Sequence, residues 1–153
     1  MWLNKETFKV AEYIVSFYEK HNDTNFDTQL TSKRLQKLIY FSDLEYRKEY
    51  GLNLVDDDYY VWNYGPAIPD IYYTYGYIDH DCIATFYRYC KTNPKEYYGQ
   101  LDYDKKNVID KVIKTTLSKS TNELVEIAQK HTEGLDVGSV FDFKNINQEN
   151  LTF

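Results

Sequence analysis

The stretch TSKRLQKLIYFSDLEYRKEYG at 31–51 constrains the fold more than any other part of the chain. Leu35, Leu38, Ile39, Ser42 and Tyr46 recur at helical spacing and predict one stripe of a helix, while Tyr40, Phe41 and Leu44 point largely the other way. A helix that is apolar on two sides needs neighbours on both, so this one is expected at the centre of the molecule. Thr31 or Ser32 can cap its start, and Gly51 suits the left-handed residue that follows its end. Lys37 projects near Tyr40, Phe41 and Leu44. Its stem is expected to be covered and its ammonium to reach water, a carboxylate or a ring face. A structural and a functional lysine are both compatible with that position.

Other helices are expected around it. Residues 5–21 carry Phe8, Ala11, Ile14, Val15 and Tyr18 on one stripe, and turn-forming residues follow from His21. A helix starting near Asp102 turns Val108, Ile109, Val112 and Ile113 inward. Ser120 with Glu123 makes a capping box that opens a last helix to His131, whose Leu124, Ala128 and His131 share a face. Residues 138–153 read as a polar tail, loosely held.

Between these helices lies WNYGPAIPDIYYTYGY at 62–77, with six aromatic residues among sixteen. Tyr59 to Tyr64 are rich in strand formers, and alternation sets Tyr60, Trp62 and Tyr64 opposite Tyr59, Val61 and Asn63. Gly65-Pro66 reads as a stiff corner. Pro69 suits the first turn of a short helix, with Ile71, Tyr75 and Ile78 inward and Tyr72, Tyr73 and Tyr77 on its other sides. One core cannot easily take rings on so many sides. A second strand is expected at 82–89, pairing with 59–64. The fold class is therefore α+β: a mainly helical single domain around the 31–50 helix, with a small two-stranded β element at 59–64 and 82–89.

Length and charge narrow the function. The chain has 153 residues, enough for one domain with its own core. Its formal net charge of −6 disfavours direct binding to a phosphate backbone, which requires Lys and Arg to displace counterions. Seventeen tyrosines supply large amphipathic area of the kind found at half-buried walls and at interfaces. No run approaches the length of a membrane span, and the N-terminal residues lack a basic region followed by an apolar one, so no signal peptide and no membrane association are expected. Cys82 and Cys90 have no metal-ligand spacing and are expected as thiols in a cytoplasmic protein.

Candidates for chemistry are few. Asp56-Asp57-Asp58 lacks the spaced ligands and glycine of a calcium loop and reads as a solvated turn. His80 sits in Asp79-His80-Asp81-Cys82, where neighbours in an extended chain point to opposite sides and cannot converge on one ion. His131 lies on an apolar stripe, and His21 ends a helix. No nucleophile elbow, P-loop or zinc-protease motif is present. No enzyme, cofactor or metal site is expected.

Three segments, in order, resemble the Panacea domain family, which includes the SocA-like and GepA-like antitoxins. In the first helix of the pattern the matching residues are Leu35, Lys37, Leu38 and Tyr40. In the middle motif they are Trp62, Gly65, Pro66, Pro69 and Tyr72, and at the end of the last helix His131 and Thr132. The resemblance spans about residues 5–137, with two departures. Arg34 stands where the family often has a smaller or apolar residue, and the tryptophan expected after His131 is missing, with Leu135 nearby. Residues 1–137 are thus expected to form the domain and 138–153 the tail.

The resemblance implies a non-catalytic antitoxin that binds and silences a protein toxin encoded by a neighbouring gene, in a family associated with phages. Alternatives are a phage- or mobile-element-encoded inhibitor of a host defence protein, an adaptor that delivers a toxin to a protease, or a hydrolase or transferase whose turnover would depend on His131 or Asp79. A homo-oligomer is left open, and autoregulation by this chain alone is not expected. The residues expected to contact the partner are Trp62, Tyr64, Tyr72, Tyr73 and Tyr77. Gly65 and Pro66 serve the backbone first, and Trp62 can serve scaffold as well as surface.

Overall fold

A computed structural model describes residues 5–21, 27–76 and 101–146. The described residues form five helices and a small antiparallel sheet: α1 (Glu6–His21), α2 (Ser32–Tyr50), β1 (Tyr59–Trp62), β2 (Gly65–Ala67), α3 (Pro69–Tyr75), α4 (Tyr103–Thr116), α5 (Thr121–His131), β3 (Val140–Phe141) and a 3-10 turn at Phe143–Asn145. This is the expected α+β architecture. Helix α2 is its axis and packs against α1, α3, α4, α5 and β2. Both apolar sides of α2 are covered, since Leu35, Leu38, Ile39, Tyr40 and Phe41 are all fully buried.

Local signals end the helices as the sequence predicts. The Thr31 side chain accepts from the Arg34 amide, and Gly51 follows α2 in the left-handed conformation at φ 68°. Asp102 caps α4, and Ser120 and Glu123 form a complete capping box on α5. Pro69 opens α3, where its missing N–H has no intrahelical partner to lose.

The sheet differs from expectation. The strand expected at 82–89 lies outside the described residues, as do Tyr77, Asp79, His80, Cys82 and Cys90. Strand order is β2-β1-β3, and β1 has a neighbour on each edge. On one side Trp62 pairs with Gly65, closing a hairpin over the two-residue turn Asn63-Tyr64. The Gly65-Pro66 pair is therefore not the corner itself but the start of an edge strand, where proline's lack of an N–H is tolerated. On the other side Tyr59 pairs with Phe141 and Tyr60 with Val140. Residues 140–146, expected in a loose tail, thus join the fold, with Phe141 and Ile146 buried in the core. Their hydrophobic area, removed from water, holds them there, with Phe141 against the Tyr40 ring and paired with Tyr59.

Candidate functional site

Two long basic side chains of α2 are wholly enclosed, each for a different reason. Arg34 is 0% exposed. Its guanidinium donates to the Thr116 carbonyl at 2.8 Å, the Lys119 carbonyl at 3.0 Å, the Thr121 hydroxyl at 3.2 Å and the Tyr18 hydroxyl at 3.1 Å. It thereby satisfies carbonyls at the C-terminal end of α4, where the helix dipole favours a cation, and ties α1, α2, α4 and α5 together. These four acceptors account for the burial of so large a cation at this position.

Lys37 is 1% exposed. Its ammonium donates to the Pro66 carbonyl at 2.8 Å, joining α2 to β2. The ammonium was expected to reach water, a carboxylate or a ring face; among the described residues it meets none of these. The acceptor is a peptide carbonyl of the edge strand. Burial, with a smaller contribution from the nearby Lys33 charge, lowers its pKa to about 7. The residue just before it, Gln36, bonds both the amide and the carbonyl of Ile68, at 3.0 and 2.9 Å. These contacts, which carry no sequence signal, lock the hairpin and the start of α3 onto α2.

Gly65 makes a close approach possible. Its φ is +102°, and a Cβ placed there would lie 2.8 Å from the Cβ of Ala128 on α5. The hairpin therefore seats directly on the last helix, and the Gln129 side chain donates to the Asn63 carbonyl at 2.9 Å.

The consequence is an open cleft of about 440 Å³ between the start of α2, the hairpin and α3. Its walls include Trp62, Tyr64, Tyr72 and Tyr73, and Lys33 and Lys37 lie along its α2 side. The Trp62 and Tyr72 rings meet edge to face at 5.5 Å, as do Tyr72 and Tyr73 at 5.8 Å. Across the cleft, the Lys33 ammonium stands 4.0 Å from the centre of the Tyr64 ring. Tyr64, Tyr72 and Tyr73 are 53%, 48% and 73% exposed, an unusual outlay of aromatic surface.

The model of the SocA-like antitoxin, Panacea domain, matches residues 35–133, more than half of the chain. The chain belongs to that antitoxin family. No curated protein and no solved structure matches it. Of the residues that carry the Panacea pattern, Leu35 and Leu38 are core. Tyr40 centres an aromatic cluster with Tyr59, Phe141 and Phe143 and bonds His131 Nδ1 at 2.6 Å. His131 is thus a buried structural partner rather than part of the cleft. Leu135, near the missing tryptophan, packs at the core's edge.

Four of the five residues expected to contact a partner are brought together in the cleft: Trp62, Tyr64, Tyr72 and Tyr73. The fifth, Tyr77, lies outside the described residues. Tyr75, between them in sequence, turns inward and donates to Glu12 at 2.6 Å. Sequence reasoning did not single out Lys33. Its only signal is its position one turn before Lys37, which puts both on one helix face. Among the described residues no group of His, Cys, Asp and Glu is arranged to hold a metal, and no helix is long and apolar enough to cross a membrane.

Proposed function

We infer that this chain neutralises a cognate protein toxin by direct binding, and that the face formed by Trp62, Tyr64, Tyr72 and Tyr73 supplies the contact. Family membership supports a toxin as partner. The observation that carries the placement is the pair Tyr72 and Tyr73, which stack edge to face yet leave about half or more of their surface in water. Aromatic residues at an open cleft are the usual anchors of protein–protein recognition. Neutralisation of this kind needs no turnover, cofactor or metal, and it takes place in the cytoplasm where the toxin is made.

Growth rescue tests the reading. Each small gene beside this one is induced alone and then with this chain, and the complex is recovered from the same cells. Relief of toxicity with a stable complex is expected. Relief with loss of the toxin protein would instead indicate delivery to a protease, and the lack of any toxic neighbour would indicate a target encoded elsewhere, such as a host defence protein. Tyr72→Ala and Tyr73→Ala should each weaken the complex by about 1–3 kcal/mol while leaving the fold intact.

A further inference from the structure

The polar groups of the cleft are chiefly spent on the fold or are donors. The Gln36 amide is used at both ends by Ile68, and the Asn63 carbonyl takes the Gln129 side chain. Lys37 is enclosed and bonded to the Pro66 carbonyl, so it belongs to the wall and not to the opening. Two half-buried residues remain. Lys33 rests on the Tyr64 ring with no ion pair among the described residues, and the Trp62 indole N–H has no hydrogen-bond partner among them. An ammonium and an indole nitrogen only donate, and the Tyr64, Tyr72 and Tyr73 hydroxyls can donate too. The rings form a row. Trp62 and Tyr72 stand at 86° to each other and Tyr72 and Tyr73 at 70°, which leaves notches between rings rather than a flat stack.

We propose that the cleft takes a proline-bearing extended segment of the partner protein in the polyproline II conformation, its prolines seated among the rings of Trp62, Tyr72 and Tyr73 and an acidic residue passing Lys33. The inference rests on the reading that this face meets the toxin, and it names the kind of segment that docks. Proline brings a carbonyl acceptor and no N–H, so it meets a donor-rich wall without adding donors that need partners. Polyproline II has three residues per turn and a rise of about 3.1 Å, which sets prolines three apart on one face at about 9 Å. The row of three rings, with steps of 5.5 and 5.8 Å between centres, is of that scale. Such a segment is ordered before it binds, which is why aromatic grooves are its usual receptors. Strand addition to β2 is closed off, since Pro66 has no N–H and its carbonyl already accepts from Lys37. A cleft of about 440 Å³ holds a few extended residues and not a helix about 10 Å across. Lys33 sets the sign at its end of the cleft, attracting an acid and repelling a base.

Proline preference and charge preference come from different groups and separate with salt. The rings and the indole N–H give the first, and Lys33 at the open rim gives the second. At about 0.5 M salt the preference for proline should persist while the preference for an acid fades.

The test titrates the intact chain with a blocked hexaproline peptide carrying Glu at both ends, so that either chain direction brings an acid to Lys33. The same peptide with alanine for proline, and with Lys for Glu, serve as comparisons, all at millimolar concentration and followed by amide and indole NMR shifts. Saturable shifts at the Trp62 indole and the Lys33 and Gly65 amides are expected, with the proline peptide at least about fivefold tighter than the alanine one. The Glu peptide should bind about twofold to fivefold tighter than the Lys peptide at low salt. Tyr72→Ala and Tyr73→Ala, at exposed positions, should melt as the wild type does and lose the proline preference. Trp62→Phe keeps a ring and removes the N–H, and should weaken the proline peptide by about threefold, read at Gly65. Lys33→Met should lose the preference for Glu and keep that for proline. Equal binding of the proline and alanine peptides, shifts outside the cleft, no saturable shift at Trp62, or a Glu preference that survives Lys33→Met would each overturn the proposal. Loss of growth rescue in Tyr72→Ala and Tyr73→Ala without a proline preference leaves the surface and removes the proline-bearing segment. A proline preference without any neighbouring toxin does the reverse.

Discussion

An amine enclosed with a single carbonyl acceptor leaves its mark on the pH dependence of folding. Lys37 has a pKa of about 7 when folded and the ordinary 10.5 when unfolded. Between those values the unfolded chain binds a proton that the folded one does not, so this residue's contribution to stability grows as pH rises and is lost as pH falls through about 7. Relative to Lys37→Met, the wild type should gain up to about 1.4 kcal/mol per pH unit from pH 7 to 9. Urea unfolding of both proteins across that range reads the difference directly, and parallel profiles would contradict the burial. The sequence placed the Lys37 stem among Tyr40, Phe41 and Leu44 but could not supply the acceptor. Pro66 lies 29 positions away, and its carbonyl is a backbone group that any residue could offer. Arg34 is a like case, since its acceptors on Thr116 and Lys119 are carbonyls that leave no trace in composition.

Helices whose ends carry their own punctuation were legible; strands made by distant pairing were not. The capping box at Ser120 and Glu123 and the glycine after α2 act within one turn, so the sequence alone locates α5 and α2. The stripes of α1 and α4 likewise repeat often enough to be read. Strand β3 has only two residues, too few for any period to show, and its partner Tyr59 is far away in sequence. The hairpin shows a subtler limit. Gly65-Pro66 was recognised as special, but the turn belongs to Asn63-Tyr64, and Gly65 is required for its contact with α5. Gly65→Ala should therefore cost at least about 2 kcal/mol, from the left-handed backbone and from the Cβ driven against Ala128. Alanine at Gly51, where φ is also positive but nothing lies within 4 Å, serves as the comparison and should cost less. Equal losses at the two positions would mean that the hairpin does not seat on α5.

Across the whole molecule, one core centred on α2 holds the elements that build the cleft. The aromatic cluster of Tyr40, Tyr59, Phe141 and Phe143 joins the last described residues to the central helix. Phe141→Ala should accordingly cost about 3–5 kcal/mol, as a core position does, where a loosely held tail would show almost no change in thermal unfolding. The surface that remains, with Trp62, Tyr64, Tyr72 and Tyr73 around one cleft, was legible as an excess of rings that a single core could not hold. Lys33 on its α2 side was not, because its place beside the Tyr64 ring is a property of the assembled site. The claim that this face neutralises a toxin is tested most directly by titrating the purified toxin partner with the wild-type chain and with the Tyr72→Ala/Tyr73→Ala double variant. The account predicts a variant that melts as the wild type does and binds at least about tenfold more weakly. An affinity unchanged by removal of both rings would contradict it.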